Sequence, residues 1–383
     1  MTTSLAILDR LISFDTVSHR SNIGLIVYVE DFLRARNFRL HRIYDSKQEK
    51  AGLYAEIGPQ IEGGVLLSAH SDVVPVEQQV WSKPPFQLTR EGDRLFGRGT
   101  TDMKGFLSEM LALADRAQNM TLRAPLKLLI SYDEEIGCVG MRHMQNHLPP
   151  ILGKPELAIV GEPTEMQVAI GHKGKRAYHV DVTGQSGHSA LAPNFVSALH
   201  LAVDFVKELR ALQTDISQFG HRDEHYAIPY STIHVGTLHS GSTLNIVPDK
   251  ATLKIEIRHL AEDDPNSIEN RFQKIAEVLM QPYPHIAEIQ IHCEASYPGL
   301  AIPIHDPAVA LTQKWSGEKT CKVAFGTEAG FLSELGVPTI VCGPGSMTDQ
   351  GHKPDEYISL KQLSKCSTML ECALQHLVLD AFL

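Results

Sequence analysis

The sequence predicts an α/β fold: a mixed, mostly parallel sheet flanked by helices, with a smaller α+β domain inserted into it. Three observations carry this. Four short runs, near 65–69, 126–131, 157–160 and 338–342, are continuously apolar, as strands buried on both faces require. Helix-periodic stretches separate them. After about residue 175 the texture turns to alternation, the mark of antiparallel strands with one wet face. At 383 residues the chain also exceeds what one hydrophobic core usually supports. Two domains are therefore expected, 1–175 with 293–383 and an insertion at 176–292.

In chain order, 4–14 and 24–37 have helical spacing of apolar residues, with Asn22 as a cap for the second. The run 103–117 is a helix following Asp102, a good capping type. Within the insertion, strands are expected at 177–182, 232–238, 252–258 and 289–292, with helices near 195–213 and 266–280. Leu253, Ile255 and Ile257 face one way along their strand, and Lys254, Glu256 and Arg258 the other. A final strand and a helix at 363–379 complete the first domain.

The formal net charge of −10 argues against nucleic acid as the main partner. No apolar run is long enough to span a membrane. The first residues lack a basic stretch followed by an apolar one, so no secretory leader is expected. The six cysteines form no CxxC pair and read as small core residues, which makes a reducing cytoplasm the expected location.

Chemistry concentrates where the strands end. His70 and Asp72 follow the first apolar run, Glu134 and Glu135 the second, and Glu162 the third; His352 lies just past the fourth. Each has a bland reading. His70 and Asp72 can be loop residues, Asp102 a plain cap, and Glu134–Glu135 a solvated acidic loop beside Asp133. Glu162 can be a turn residue before Pro163, and His352 one of 19 histidines. Together they resist those readings, because open α/β sheets bind ligands beyond the carboxyl ends of their strands. Carboxylates and imidazoles gathered there need a positive partner. A site for two divalent ions answers that need, and donors without thiolate suit zinc. Residues two apart in an extended segment point the same way, so Asp72 can reach the His70 imidazole. Of the two neighbouring glutamates, one can ligate while the other acts as general base.

Four motifs occur in order: Ser68-Ala69-His70-Ser71-Asp72-Val73-Val74-Pro75, Gly97-Arg98-Gly99-Thr100-Thr101-Asp102-Met103-Lys104-Gly105, Tyr132-Asp133-Glu134-Glu135 and Val160-Gly161-Glu162-Pro163-Thr164. Over essentially its whole length the chain resembles the di-zinc amidohydrolase family of acetylornithine deacetylases, succinyl-diaminopimelate desuccinylases, aminoacylases and glutamate carboxypeptidases. Gly184-Gln185-Ser186-Gly187-His188-Ser189, Gly326-Thr327-Glu328-Ala329 and Gly343-Pro344-Gly345-Ser346 make it most similar to the bacterial acetylornithine deacetylases.

The resemblance implies that Asp102 bridges two metals, zinc with cobalt as a substitute. His70 and Glu162 would complete one, and Glu135 and His352 the other. Glu134 would be the base and Asp72 the partner of His70. His188 would act across a two-fold interface of a homodimer formed through the inserted domain, which serves as lid. Asn245 and Arg258 would contact a substrate carboxylate, although a turn residue and a solvated strand residue remain their plain alternatives. Glu328 would favour a substrate ammonium or else brace a loop.

The implied activity is hydrolysis of a small N-acyl amino acid, foremost N2-acetyl-L-ornithine to L-ornithine and acetate in arginine biosynthesis. N-succinyl-diaminopimelate or another acylamino acid is the alternative substrate. A non-enzymatic binding relative is the alternative class, which loss of the base or a ligand would signal; here all are present.

Overall fold

A computed structural model describes residues 3–379 and resolves two compact units. The first takes Met1–Gly171, Leu300–Val323 and Thr327–Leu383; the second takes His172–Gly299 and Ala324–Gly326.

The first unit is built on a mixed sheet. Its central strands run in the order Leu126–Ser131, Val65–His70, Leu157–Pro163 and Thr339–Gly343, all mutually parallel. Arg39–Tyr44 and Ala51–Ile57 add antiparallel strands beside Leu126–Ser131, and Val168–His172 pairs antiparallel on the other side. Every residue of the four central strands is buried. That explains their largely apolar sequences, broken chiefly by Ser68, Lys127 and Ser131, since burying each Leu, Ile or Val side chain contributes roughly 1.5–3 kcal/mol. Helices flank this sheet. Lys104–Ala117 packs on Val65–His70, and Leu360–Leu379 packs on Lys104–Ala117 and on Pro307–Ser316. Gly161 permits a close approach of the first of these helices: a Cβ there would lie 2.0 Å from the Phe106 ring. Parallel strands end on the same side, so the loops after His70, Ser131, Pro163 and Gly343 gather at one edge.

Two cap expectations are corrected. Ile23–Arg34 is helical, but the Asn22 side chain makes no cap bond. Its Nδ2 donates to Ala51 O (2.8 Å) and Ser71 Oγ (2.9 Å), and its Oδ1 accepts from Ala51 N, so it ties the sheet instead. The helix after Asp102 begins at Lys104, with Met103 in the cap position, which leaves the Asp102 carboxylate free for other partners.

The second unit has a four-stranded antiparallel sheet, ordered Thr232–Ser240, Lys250–His259, Gly174–Thr183 and Glu288–Tyr297. Helices Ala198–Phe219 and Pro265–Met280 cover it. Leu253, Ile255 and Ile257 are buried with Tyr178, Phe205 and Phe272, while Lys254 stays exposed, as the alternation requires. The first helix starts later and runs further than its apolar spacing suggests. Ser197 caps it by accepting from His200 N. No helix of the described residues is long and apolar enough to cross a membrane.

Candidate metal centre

At the gathered loop edge of the first unit, Asp102 is the hub. Its Oδ1 lies 3.0 Å from His70 Nε2 and its Oδ2 lies 3.2 Å from His352 Nε2. Glu162 Oε1 is 3.6 Å from the same His70 nitrogen, and Glu135 Oε2 is 3.0 Å from the same His352 nitrogen. Two groups therefore share one carboxylate: His70, Asp102 and Glu162, and Asp102, Glu135 and His352. Within each group the candidate ligand atoms lie within 4.8 Å of one another.

His70 shows what belongs between them. Its Nδ1 is 3.0 Å from the Asp72 carbonyl, which can only accept, so the ring proton sits on Nδ1. The Nε2 lone pair of the neutral ring then faces two carboxylates. Without a cation the ring must take a second proton. Against burial, Glu162 and Asp102 indeed raise the His70 pKa well above its usual value. At His352, hydrogen bonds to Asp102 and then Glu135 lift the imidazole to about 10.

The carboxylates show the same need. Burial pushes Glu134 up to about 8, with Glu135, Asp102 and Asp72 adding to it and His70 opposing. Burial and then Asp102 lift Glu135 to about 7, and the same two causes hold Glu162 well above the carboxylate range. Burial would raise Asp102 too, but its bonds to His352 and His70 hold it low. Glu135 Oε1 and Glu162 Oε1 are buried without any hydrogen-bond partner. Buried anionic oxygens left bare are costly. Imidazole nitrogens and carboxylate oxygens aimed at two shared points fit a pair of divalent ions of the zinc type.

Asp72 has a wider task than its spacing from His70 suggests. Its carboxylate is 3.6 Å from His70 Nδ1. Its Oδ1 accepts from Glu134 N (3.1 Å), and its Oδ2 accepts from Glu135 N (3.3 Å) and Ser18 Oγ (2.6 Å). It thus holds the turn that carries both glutamates. The Cys138 thiol donates to Glu134 Oε1 at 3.3 Å. The loops reach these positions through left-handed backbone at Asp133 (φ 54°) and His352 (φ 59°), a conformation few non-glycine residues adopt.

The surroundings of Glu328 accord with the second of its two expected readings, a bracing side chain. It is 0% exposed, its Oε1 accepts from Ser68 Oγ at 2.5 Å, and its Oε2 accepts from Ser131 Oγ. Both oxygens brace strand ends. Sequence spacing carried no signal for this, because the serines are polar exceptions inside apolar strands.

The remaining expected residues belong to the second unit. His188 ends the short strand Gly187–His188, which pairs with Ile246–Val247 just after Asn245. Its Nδ1 accepts from Ala190 N at 3.1 Å, which leaves the ring proton on Nε2 as a donor. The Asn245 carbonyl accepts from Ser189 N at 3.0 Å. Arg258 donates from Nε to Glu256 Oε1 and from Nη1 to Tyr297 OH, both at 2.6 Å.

A mixed α/β sheet whose strand ends collect this donor set defines a metal-dependent hydrolase. The chain belongs to peptidase family M20/M25/M40, whose model matches residues 66–376. It is 32% identical over 352 residues to the acetylornithine deacetylase of Yersinia pestis, covering 90% of this chain and 88% of that one. It is likewise 32% identical over 366 residues to the acetylornithine deacetylase of Vibrio vulnificus, covering 95% and 94%. Among solved structures, a tripeptidase from Staphylococcus aureus matches with a TM-score of 0.77 at 18% identity, covering 99% of this chain and 98% of that one. An M20 family metallo-carboxypeptidase from Sulfolobus solfataricus also matches with a TM-score of 0.77, at 20% identity, covering 98% and 99%.

Proposed function

We propose that this protein hydrolyses N2-acetyl-L-ornithine to L-ornithine and acetate. The observation that carries the reading is its likeness, along nearly the full length of both chains, to proteins named acetylornithine deacetylase. His70, Asp102 and Glu162 would hold one zinc ion, and Asp102, Glu135 and His352 the other, with cobalt able to replace zinc. When bound, the ions supply Lewis acidity to the amide carbonyl and make a water acidic enough to attack near neutral pH. Glu134 then takes the water's proton and returns it to the leaving nitrogen, so the amine departs neutral. Asp72 keeps the glutamate turn and the His70 ring in place. His188, through its Nε2 proton, donates to the developing oxyanion. Arg258 pairs with the α-carboxylate, and Asn245 supports it, once the second unit closes as a lid. The same unit joins two chains as a homodimer, with His188 serving the partner's site. A cytoplasmic amino-acid biosynthetic role, in arginine formation, follows from that substrate.

Two outcomes test this. Zinc-loaded protein assayed on a panel of N-acyl amino acids should give its highest kcat/KM with N2-acetyl-L-ornithine. A clear preference for N-succinyl-diaminopimelate would move the protein to that activity. Arg258→Ala should lower kcat/KM by about 10-fold or more, the scale of a charge-assisted bond of roughly 1.5–3 kcal/mol, with zinc content unchanged. Activity equal to the wild type would reduce Arg258 to a strand residue paired with Glu256.

A further inference from the structure

The residue that organises the metal centre most extensively from outside it is Glu356, a position to which the donor set gives no role. It is 1% exposed and lies four residues beyond His352. Its Oε1 accepts from Thr101 N (2.8 Å) and Asp102 N (3.1 Å). Its Oε2 accepts from Gly99 N (2.9 Å) and Arg98 Nη1 (2.8 Å). Its carbonyl accepts from Gly97 N (2.9 Å). One buried side chain and its own backbone thus collect donors along almost the entire loop that delivers Asp102. All four partners of the carboxylate are donors, so this pocket offers no acceptor for a carboxyl or amide hydrogen.

The arrangement continues on both sides. Thr101 Oγ1 donates to Tyr357 O at 2.7 Å. Arg98 Nη2 donates to Gln79 Oε1 at 2.6 Å, and Gln79 Nε2 donates to the His352 carbonyl at 2.9 Å. Asp102 and His352, 250 residues apart in sequence, are therefore fixed to each other through groups that touch no ligand atom.

We propose that Glu356 is the positioning residue of this centre: it holds the Asp102 loop and the His352 loop in one register, so that the two Asp102 oxygens face the two metal positions. The loop 97–102 contains two glycines at positive φ, Gly97 (158°) and Gly99 (85°), and its own backbone bonds, such as Thr100 N to Gly97 O (3.2 Å), leave the N–H groups of Thr101 and Asp102 to Glu356. Without the carboxylate, three backbone N–H groups, those of Gly99, Thr101 and Asp102, lose their acceptor, which destabilises the observed loop conformation. A bridging ligand tolerates this poorly, because displacing it weakens both ions at once.

The inference rests on the two-metal reading, and the experiment separates the two. Zinc binding to metal-free protein is titrated calorimetrically for the wild type, Glu356→Gln and Glu356→Asp. The wild type should take up two equivalents. Glu356→Gln places an amide N–H against backbone donors and should weaken both equivalents by about 10–100-fold, the usual effect of a residue that orients ligands. Glu356→Asp keeps the charge and should recover part of the affinity. A purely structural role would lower the melting temperature of the metal-free protein and leave both zinc affinities at wild-type values, and that result overturns the inference. Wild-type protein that binds no zinc would instead overturn the metal-centre reading.

Should Glu356→Gln fail to fold, amide hydrogen exchange of metal-free wild type decides. The N–H groups of Gly99, Thr101 and Asp102 should be protected like those of the central strands, with no metal present. Exchange at the rate of an open loop would show that Glu356 does not hold them.

Discussion

Replacing Glu134 by glutamine is expected to lower kcat by roughly 10²–10⁴-fold while leaving two zinc ions per chain in place. The amide has the size of the carboxylate and can keep the place beside the Cys138 thiol, but it cannot accept the water's proton at any pH of interest. Both metal groups lack Glu134, so metal content, read by elemental analysis, should not change. Glu135→Gln is the matched control one residue away. Glu135 Oε2 lies beside His352 Nε2, and that variant should lose metal affinity before it loses intrinsic chemistry. An exchange of the two phenotypes would reverse the roles of the glutamates.

Metal removal should have an effect that grows with pH. Glu135 is lifted to about 7 and Glu134 to about 8, while Glu162 stands well above its ordinary value. A group raised in the folded state contributes stability that is full below its unfolded pKa and is lost as pH rises through the folded one. For the glutamates that loss spans about pH 4.5 to 8. For His352 it spans about 6.5 to 10. Asp102 is shifted the other way and loses its contribution only in strong acid. Lys104, buried and pushed down to about 7, opposes the trend, but it does so with or without metal. The difference in melting temperature between zinc-loaded and metal-free protein isolates the centre. It should widen between pH 5.5 and 8, by on the order of 5 °C or more. A gap that stays flat or narrows over this range would mean that the carboxylates and imidazoles do not share a cation.

How much of this was legible depends on what each residue's neighbours reveal. The central strands announced themselves because burial on both faces favours runs that are mostly apolar. The candidate ligand set stands out by type, since acidic residues and histidines at consecutive strand ends have no common structural use. Asp102 and Asn22 were misplaced as caps for a physical reason. A short polar side chain before a helix satisfies a capping pattern whether or not it turns toward the helix, and tertiary partners decided against it in both cases. Glu328 and Glu356 were illegible in the same sense. The sequence shows a glutamate, and only the fold shows which distant hydroxyls or N–H groups it collects. The hairpin of Thr89–Glu91 with Arg94–Phe96, joined by Tyr357–Ser359, escaped notice because strands of three residues carry too little periodicity to detect.

The parallel order of the central strands also bears on when the centre can exist in the life of a chain. Leu157–Pro163 and Thr339–Gly343 are neighbours in the sheet, yet the whole second unit is synthesised between them. His352 lies later still. In a nascent chain emerging amino-end first, His70, Asp102 and Glu162 leave the ribosome early, yet the loop that carries Asp102 waits for the Glu356 carboxylate, 254 residues further on. The group of Asp102, Glu135 and His352 must wait for nearly the entire polypeptide. Because the two candidate groups share Asp102, both wait for nearly the whole polypeptide to be made and for the sheet to close.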